Sequence, residues 1–199
     1  MSQKTFIETY KVEHDVCDKV IGLYNKNKNL AQPGRVGVPR RIDKELKDSM
    51  DLSIPIQMYG HFEPFFEQLT THVNEYLKKY FHDTGAPEMG PVGFSEWSNI
   101  QLYPKGGDYP GVHCERDRLA NSTRVLTWVL YLTDTPNGGT EFLHQELKTE
   151  CVKGTLAIFP SDMTHMHRGV ISQTHEKMIF TGWIIFIQPG KPKVREGSE

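Results

Sequence analysis

From about Gly93 onward the chain is a succession of short β-rich runs separated by turn residues. Ser98 to Tyr103 is one, Arg124 to Leu132 is the strongest, and Leu156 to Phe159 and Lys177 to Ile187 follow. Asn137-Gly138-Gly139 reads as a hairpin turn leading into Thr140–Leu143. Each such strand must bury a face against a second layer. Many of them after two helices therefore predict an α+β chain built on a β-sandwich or barrel.

The two helices are legible from spacing. Asp15 is placed as an N-cap, after which Val16, Val20, Ile21 and Tyr24 share one face until the run Asn25–Asn29 ends the pattern. Pro64 suits the first turn of the second helix. There Phe62, Phe65, Phe66, Leu69, Val73, Leu77 and Tyr80 form a stripe, Lys78 and Lys79 sit near the C-terminal end, and Gly85 and Pro87 close the element. The stripe is expected to pack as core against a sheet. Between the helices, Leu30 to Ser53 is rich in Gly, Pro and charge, with Arg35, Arg40 and Arg41 prominent. A stretch this long is either a binding loop or a solvated linker.

A length of 199 residues suits one domain. The expected organisation is a helical support region over 1–92, a β-barrel catalytic core over 93–187 and a flexible tail over 188–199. A net charge of −2 leaves no basic excess to hold a phosphate backbone, so nucleic acid is not an expected partner. No apolar run approaches the ~20 residues of a membrane helix, so no membrane is expected either. Met1 to Lys4 lacks the start of a signal peptide, and three cysteines, Cys17, Cys114 and Cys151, suit reduced thiols in a cytoplasm.

Nine histidines guarantee chance pairs, so partners decide which of them matter. In His113-Cys114-Glu115, side chains two apart on a strand aim an imidazole and a carboxylate at one point, while Cys114 faces the other way and packs. Asp117 shares that parity across a longer gap and ranks below Glu115. A metal needs a third ligand, and His165 and His167 are the candidates. Two His and one carboxylate with open positions form the facial triad of non-haem Fe(II) oxygenases. Such an oxygenase must also anchor the distal carboxylate of 2-oxoglutarate on a cation. Lys177, ten residues past His167, would be costly to bury without an anionic partner and would be satisfied by that dicarboxylate. Tyr131, on the set Val125, Thr127, Val129, Tyr131, offers a second donor, and Thr181 shares strand parity with Lys177. Arg116 and Arg118 are candidate substrate contacts, though solvated charge is the more economical reading.

Further residues join this pattern in order: Tyr103-Pro104 with Gly106, Arg124 leading to Val129–Leu132, Gly138–Phe142, Lys153–Leu156, Phe159-Pro160, Thr164–Gly169 and Thr181-Gly182-Trp183. With them, roughly 99–187 resembles the Fe(II)/2-oxoglutarate-dependent oxygenases of the prolyl 4-hydroxylase type, and especially small bacteriophage-encoded members. The resemblance implies a double-stranded β-helix, a jelly-roll, cupin-like core, with the N-terminal helices packed on its major sheet. It implies His113, Glu115 and His167 as iron ligands, His167 being preferred to His165 by its spacing to Lys177 and by the following Arg168-Gly169. It implies Lys177 and Tyr131 on the distal carboxylate, Tyr103 and Thr181 lining that pocket, and Trp183 beside the metal. The implied cofactors are Fe(II), 2-oxoglutarate as co-substrate and O2, with L-ascorbate as an optional addition. The implied reaction is hydroxylation of a C–H bond with decarboxylation of 2-oxoglutarate to succinate. The implied substrate is a prolyl residue in a peptide or protein, with a small amino-acid-like molecule as the alternative. Most prolyl hydroxylases carry Asp where this chain has Glu115. The competing readings are a cupin-like metal hydrolase or isomerase, and a non-catalytic module that binds iron or 2-oxoglutarate.

Overall fold

The computed structural model describes residues 4–37, 39–86 and 89–188. The closing Pro87 and the tail beyond Gln188 lie outside them. In chain order the elements are β1 (Glu8–Lys11), α1 (His14–Asn27), β2 (Gln32–Pro33), β3 (Met50–Pro55), α2 (Glu63–Tyr80), β4 (Val92–Phe94), β5 (Trp97–Tyr103) and β6 (Arg124–Tyr131). They continue with β7 (Thr140–Phe142), β8 (Leu147–Lys148), β9 (Thr155–Pro160), β10 (His167–Gly169) and β11 (Lys177–Phe186). Among the described residues the strands form an eight-stranded antiparallel sheet, in the order β1-β9-β6-β11-β5-β3-β2 with β4 also on β11, and a three-stranded sheet β10-β7-β8.

This is the jelly-roll arrangement expected, with α1 and α2 on the outer face of the large sheet. Val16, Cys17, Val20 and Tyr24 of α1 and Phe65, Phe66, Leu69 and Val73 of α2 join Ile100, Trp128, Leu130 and Phe180 in one core. Alternate residues of the same strands face the small sheet: Val129, Tyr131 and Ile179 pack with Tyr103, Phe142 and Phe159 in a second cluster. Val125 breaks the expected parity and packs on the helix side, near the bulge that shifts the β6–β11 register at Ile184/Ile185.

Three expectations are corrected. The region before 93 is not only helical support, because β1 pairs with β9 and β3 with β5, extending the catalytic sheet at both edges. Asp15 does not cap α1. The helix starts two residues earlier, with the Glu13 carbonyl at the cap accepting from the Val16 and Cys17 amides, and Asp15 sits in the first turn paired with Lys19. Asn137-Gly138-Gly139 does not close a hairpin with β6, since β7 leaves the large sheet and pairs with β10 and β8. The intervening Pro136 and the left-handed Asn137 turn the chain away from the β6 ladder.

Candidate metal centre

His113 and His167 are joined as a backbone bridge, each amide donating to the other's carbonyl at 3.0 and 2.9 Å. His113 stands in a single bridge rather than in a regular strand. Glu115 is fixed by its own amide, which donates to Ser161 O at 2.9 Å. The side chains of His113, Glu115 and His167 converge, with one ligand atom from each lying within 4.8 Å of the others.

The hydrogen bonds settle the tautomers. His113 Nδ1 lies 2.8 Å from Gly111 O and His167 Nδ1 2.9 Å from His165 O. A carbonyl only accepts, so each Nδ1 carries a proton, and in the neutral ring this leaves Nε2 with the bare lone pair. These Nε2 atoms face the same oxygen, Glu115 Oε1, at 3.3 and 3.8 Å. Burial pulls the His167 imidazole down to about 4, which keeps it neutral near pH 7. Burial alone would raise the Glu115 carboxyl, but its neighbours, the His113 ring first and then His167 and the Arg124 guanidinium, hold it down at about 2. Two imidazole Nε2 atoms and a carboxylate oxygen aimed at one point, with outer partners already on both rings, fit a divalent metal ion.

Glu115 has a longer arm than Asp, and the structure shows how that arm is held. Oε2 accepts from Arg124 Nη1 at 3.1 Å and from Trp183 Nε1 at 3.0 Å, and the Arg124 guanidinium lies 3.5 Å from the Trp183 ring centroid. Only Oε1 is left for a metal. Trp183→Phe removes one of these two donors. It is expected to weaken Fe(II) binding about tenfold, measured by anaerobic titration, because outer partners of ligands carry effects of this size.

The triad sits in a cleft of about 910 Å³ lined by β3, β5, β6, β10 and β11. All eight residues singled out from the sequence reach it: Tyr103, His113, Glu115, Tyr131, His167, Lys177, Thr181 and Trp183. His165 does not. Its Nε2 donates to Thr5 O at 2.9 Å. Asp117 is engaged by Arg118 and Asn121, and Arg116 pairs with Asp162. Cys114, read as packing, is half-buried and lines the cleft. Arg35, Val36, Gly37 and Arg40 from the long inter-helix loop also line it.

The polar groups deep in the cleft have internal partners that sequence reasoning did not identify. Tyr131 Oη bonds Thr140 Oγ1 at 2.8 Å and Thr149 Oγ1 at 2.6 Å, and burial raises its phenol well above the usual range. Tyr103 Oη donates to Gln101 Oε1, and Thr181 Oγ1 to Trp128 O. Lys177, 4% exposed, was expected to wait for a ligand carboxylate, but it already holds Asp108 Oδ2 at 2.5 Å.

Residues 98–185 match the family model of the 2OG-Fe(II) oxygenase superfamily. Over this stretch the chain is similar to the 2OG-Fe(II) oxygenases. No curated protein matches this oxygenase significantly in sequence. Its fold is shared with a prolyl-4-hydroxylase from Pseudomonas putida, at 16% identity and TM-score 0.67, covering 92% of this chain and 94% of that one. It is shared with the viral collagen prolyl hydroxylase of Paramecium bursaria Chlorella virus-1 in its 2OG complex, at 19% identity and TM-score 0.68, covering 92% and 97%. A Trichoplax adhaerens prolyl hydroxylase, solved with a hypoxia inducible factor peptide fragment, aligns at 14% identity and TM-score 0.69, covering 92% and 84%. The oxygenase is thus an Fe(II)- and 2-oxoglutarate-dependent enzyme using O2, and the hydrolase and non-catalytic readings are set aside. Among the described residues no helix is long and apolar enough to cross a membrane.

Proposed function

We propose that this oxygenase hydroxylates a prolyl residue in a peptide or protein, with the chain acting as a single domain. In this reading His113, Glu115 and His167 hold Fe(II). Lys177 and Tyr131 receive the distal carboxylate of 2-oxoglutarate in a pocket lined by Tyr103 and Thr181. The observation that carries it is the convergence of two unprotonated Nε2 atoms on one unshared carboxylate oxygen, with a buried ammonium in the same cleft. The bound metal, with 2-oxoglutarate and O2, supplies the oxidant and yields succinate and CO2.

The chain's own residues do the rest. Gly111 O and His165 O orient the two rings. Arg124 and Trp183 hold the carboxylate so that it presents one oxygen. Val129 and Ile179 give the cleft dry walls, which strengthens charge interactions inside it. Arg35 and Arg40 line the cleft and in this reading meet the substrate chain. A prolyl substrate is supported by the prolyl hydroxylases that share this fold. The free thiols of Cys17, Cys114 and Cys151 suit a reducing compartment such as the cytoplasm.

Anaerobic addition of Fe(II) and 2-oxoglutarate is expected to produce a visible charge-transfer band. Mass spectrometry of proline-containing peptides after admitting O2 is expected to show a gain of one oxygen on proline. Succinate release with oxygen gained only on other residues, or on free amino acids, would overturn the substrate assignment.

A further inference from the structure

The ion pair between Asp108 and Lys177 occupies the seat that the reading above gives to the co-substrate. Asp108 is 3% exposed and its side chain is locked in place. Its Oδ1 accepts from the Tyr109 amide at 2.7 Å and its Oδ2 takes the Lys177 ammonium. The backbone around it is pinned as well. Asp48 N donates to Asp108 O at 2.8 Å, and Gly169 N to Tyr109 O at 2.8 Å. Gly169 makes the arrangement sterically feasible, because a Cβ there would lie 1.9 Å from Asp108 Oδ1. The Tyr103 ring borders the ammonium, 4.9 Å from centroid to Nζ. The lysine therefore has an anion of its own, and among the described residues no second cation pairs with Asp108.

We propose that Asp108 is a built-in competitor for the dicarboxylate and sets how tightly 2-oxoglutarate and its product are held. This rests on the assignment of Lys177 as the anchor of the distal carboxylate. Two carboxylates on one buried ammonium repel each other, so an incoming distal carboxylate must displace Asp108 or bind against its charge. Succinate carries the same distal carboxylate. Its departure leaves Lys177 to a partner that is already tethered beside it, so the buried cation is never stranded and product leaves more readily. Asp108 is in this sense a specificity-determining residue that acts on binding and not on the reacting bond.

The test is calorimetric titration of 2-oxoglutarate and of succinate into the Fe(II)-loaded protein under anaerobic conditions, with thermal melts in parallel. Asp108→Asn keeps the shape of the side chain and removes its charge. It is expected to bind both acids about tenfold more tightly than the unaltered protein, the scale of one charge-assisted hydrogen bond. It should melt lower without ligand and gain more from saturating 2-oxoglutarate. In turnover, KM for 2-oxoglutarate falls and inhibition by succinate strengthens. Gly169→Ala keeps both charges but drives its methyl into the Asp108 carboxylate, so it should shift the affinities in the same direction and serves if Asp108→Asn fails to fold. Unchanged or weaker binding by the folded variants, while the unaltered protein binds 2-oxoglutarate, would overturn the proposal and leave the anchor assignment standing. Absence of 2-oxoglutarate binding in all forms would overturn the anchor assignment itself, and the proposal with it.

Discussion

Replacing His167 with alanine is expected to abolish Fe(II) binding and turnover, whereas His165→Ala leaves both in place. The two residues are separated by one position and are indistinguishable by type, but the fold treats them oppositely. Met163–His165 forms a short 3-10 turn, in which the His165 ring is committed to Thr164 and to Thr5 O. β10 begins only at His167, whose Nε2 is aimed at Glu115. Losing an outer partner of a metal-bound ligand costs about 10- to 100-fold in affinity or activity, so losing a ligand exceeds about 100-fold. Anaerobic Fe(II) titration of the two variants, alongside succinate release, separates them. Retained Fe(II) affinity in His167→Ala would remove the triad from the argument.

The second large effect is on stability. Phe65→Ala is expected to destabilise the fold by about 3–5 kcal/mol, a substantial part of the ~5–15 kcal/mol typical of a domain. Phe65 is 1% exposed and stands where α2 meets the large sheet, with ring centroids 5.2 Å from Phe66, 5.2 Å from Trp128 and 5.1 Å from Phe180. These rings come from α2, β6 and β11, so the cavity cannot close by the shift of one side chain. At this chain length the melting temperature should fall by about 10 °C in a thermal melt followed by circular dichroism. The exposed Trp97→Ala should move it little.

What could be read from sequence was whatever repeats locally. The α2 stripe follows from residues three and four apart, and four of its buried members, Phe65, Phe66, Leu69 and Val73, lie on the face against the sheet. The strand parity of Lys177, Ile179, Thr181 and Trp183 follows from a period of two, and all four line the cleft. What escaped depends on partners distant in the chain. Glu8–Lys11 looks solvated because two of its four residues are charged, and only its pairing with 155–158 makes it a strand. Met50–Pro55 did carry a signal, with Leu52 and Ile54 alternating into the core, but the charged loop before it obscured the onset. Asp108 reads as a turn residue beside Gly106-Gly107, and its partner lies 69 positions away. His165 and His167 share parity on paper, but the 3-10 turn ends before β10 begins and breaks it.

The position of β11 has a consequence for how the protein is made. This strand is the last of the large sheet to leave the ribosome, yet it lies near the middle, paired with β4, β5 and β6. Until residues 177–186 emerge, β5 and β6 each present an open edge during synthesis. Non-local pairing of this kind is slow and leaves nascent edges exposed to neighbouring chains. Nascent chains stopped before Lys177 therefore lack the insert that joins the two halves of the sheet, and are expected to aggregate more readily than the completed chain.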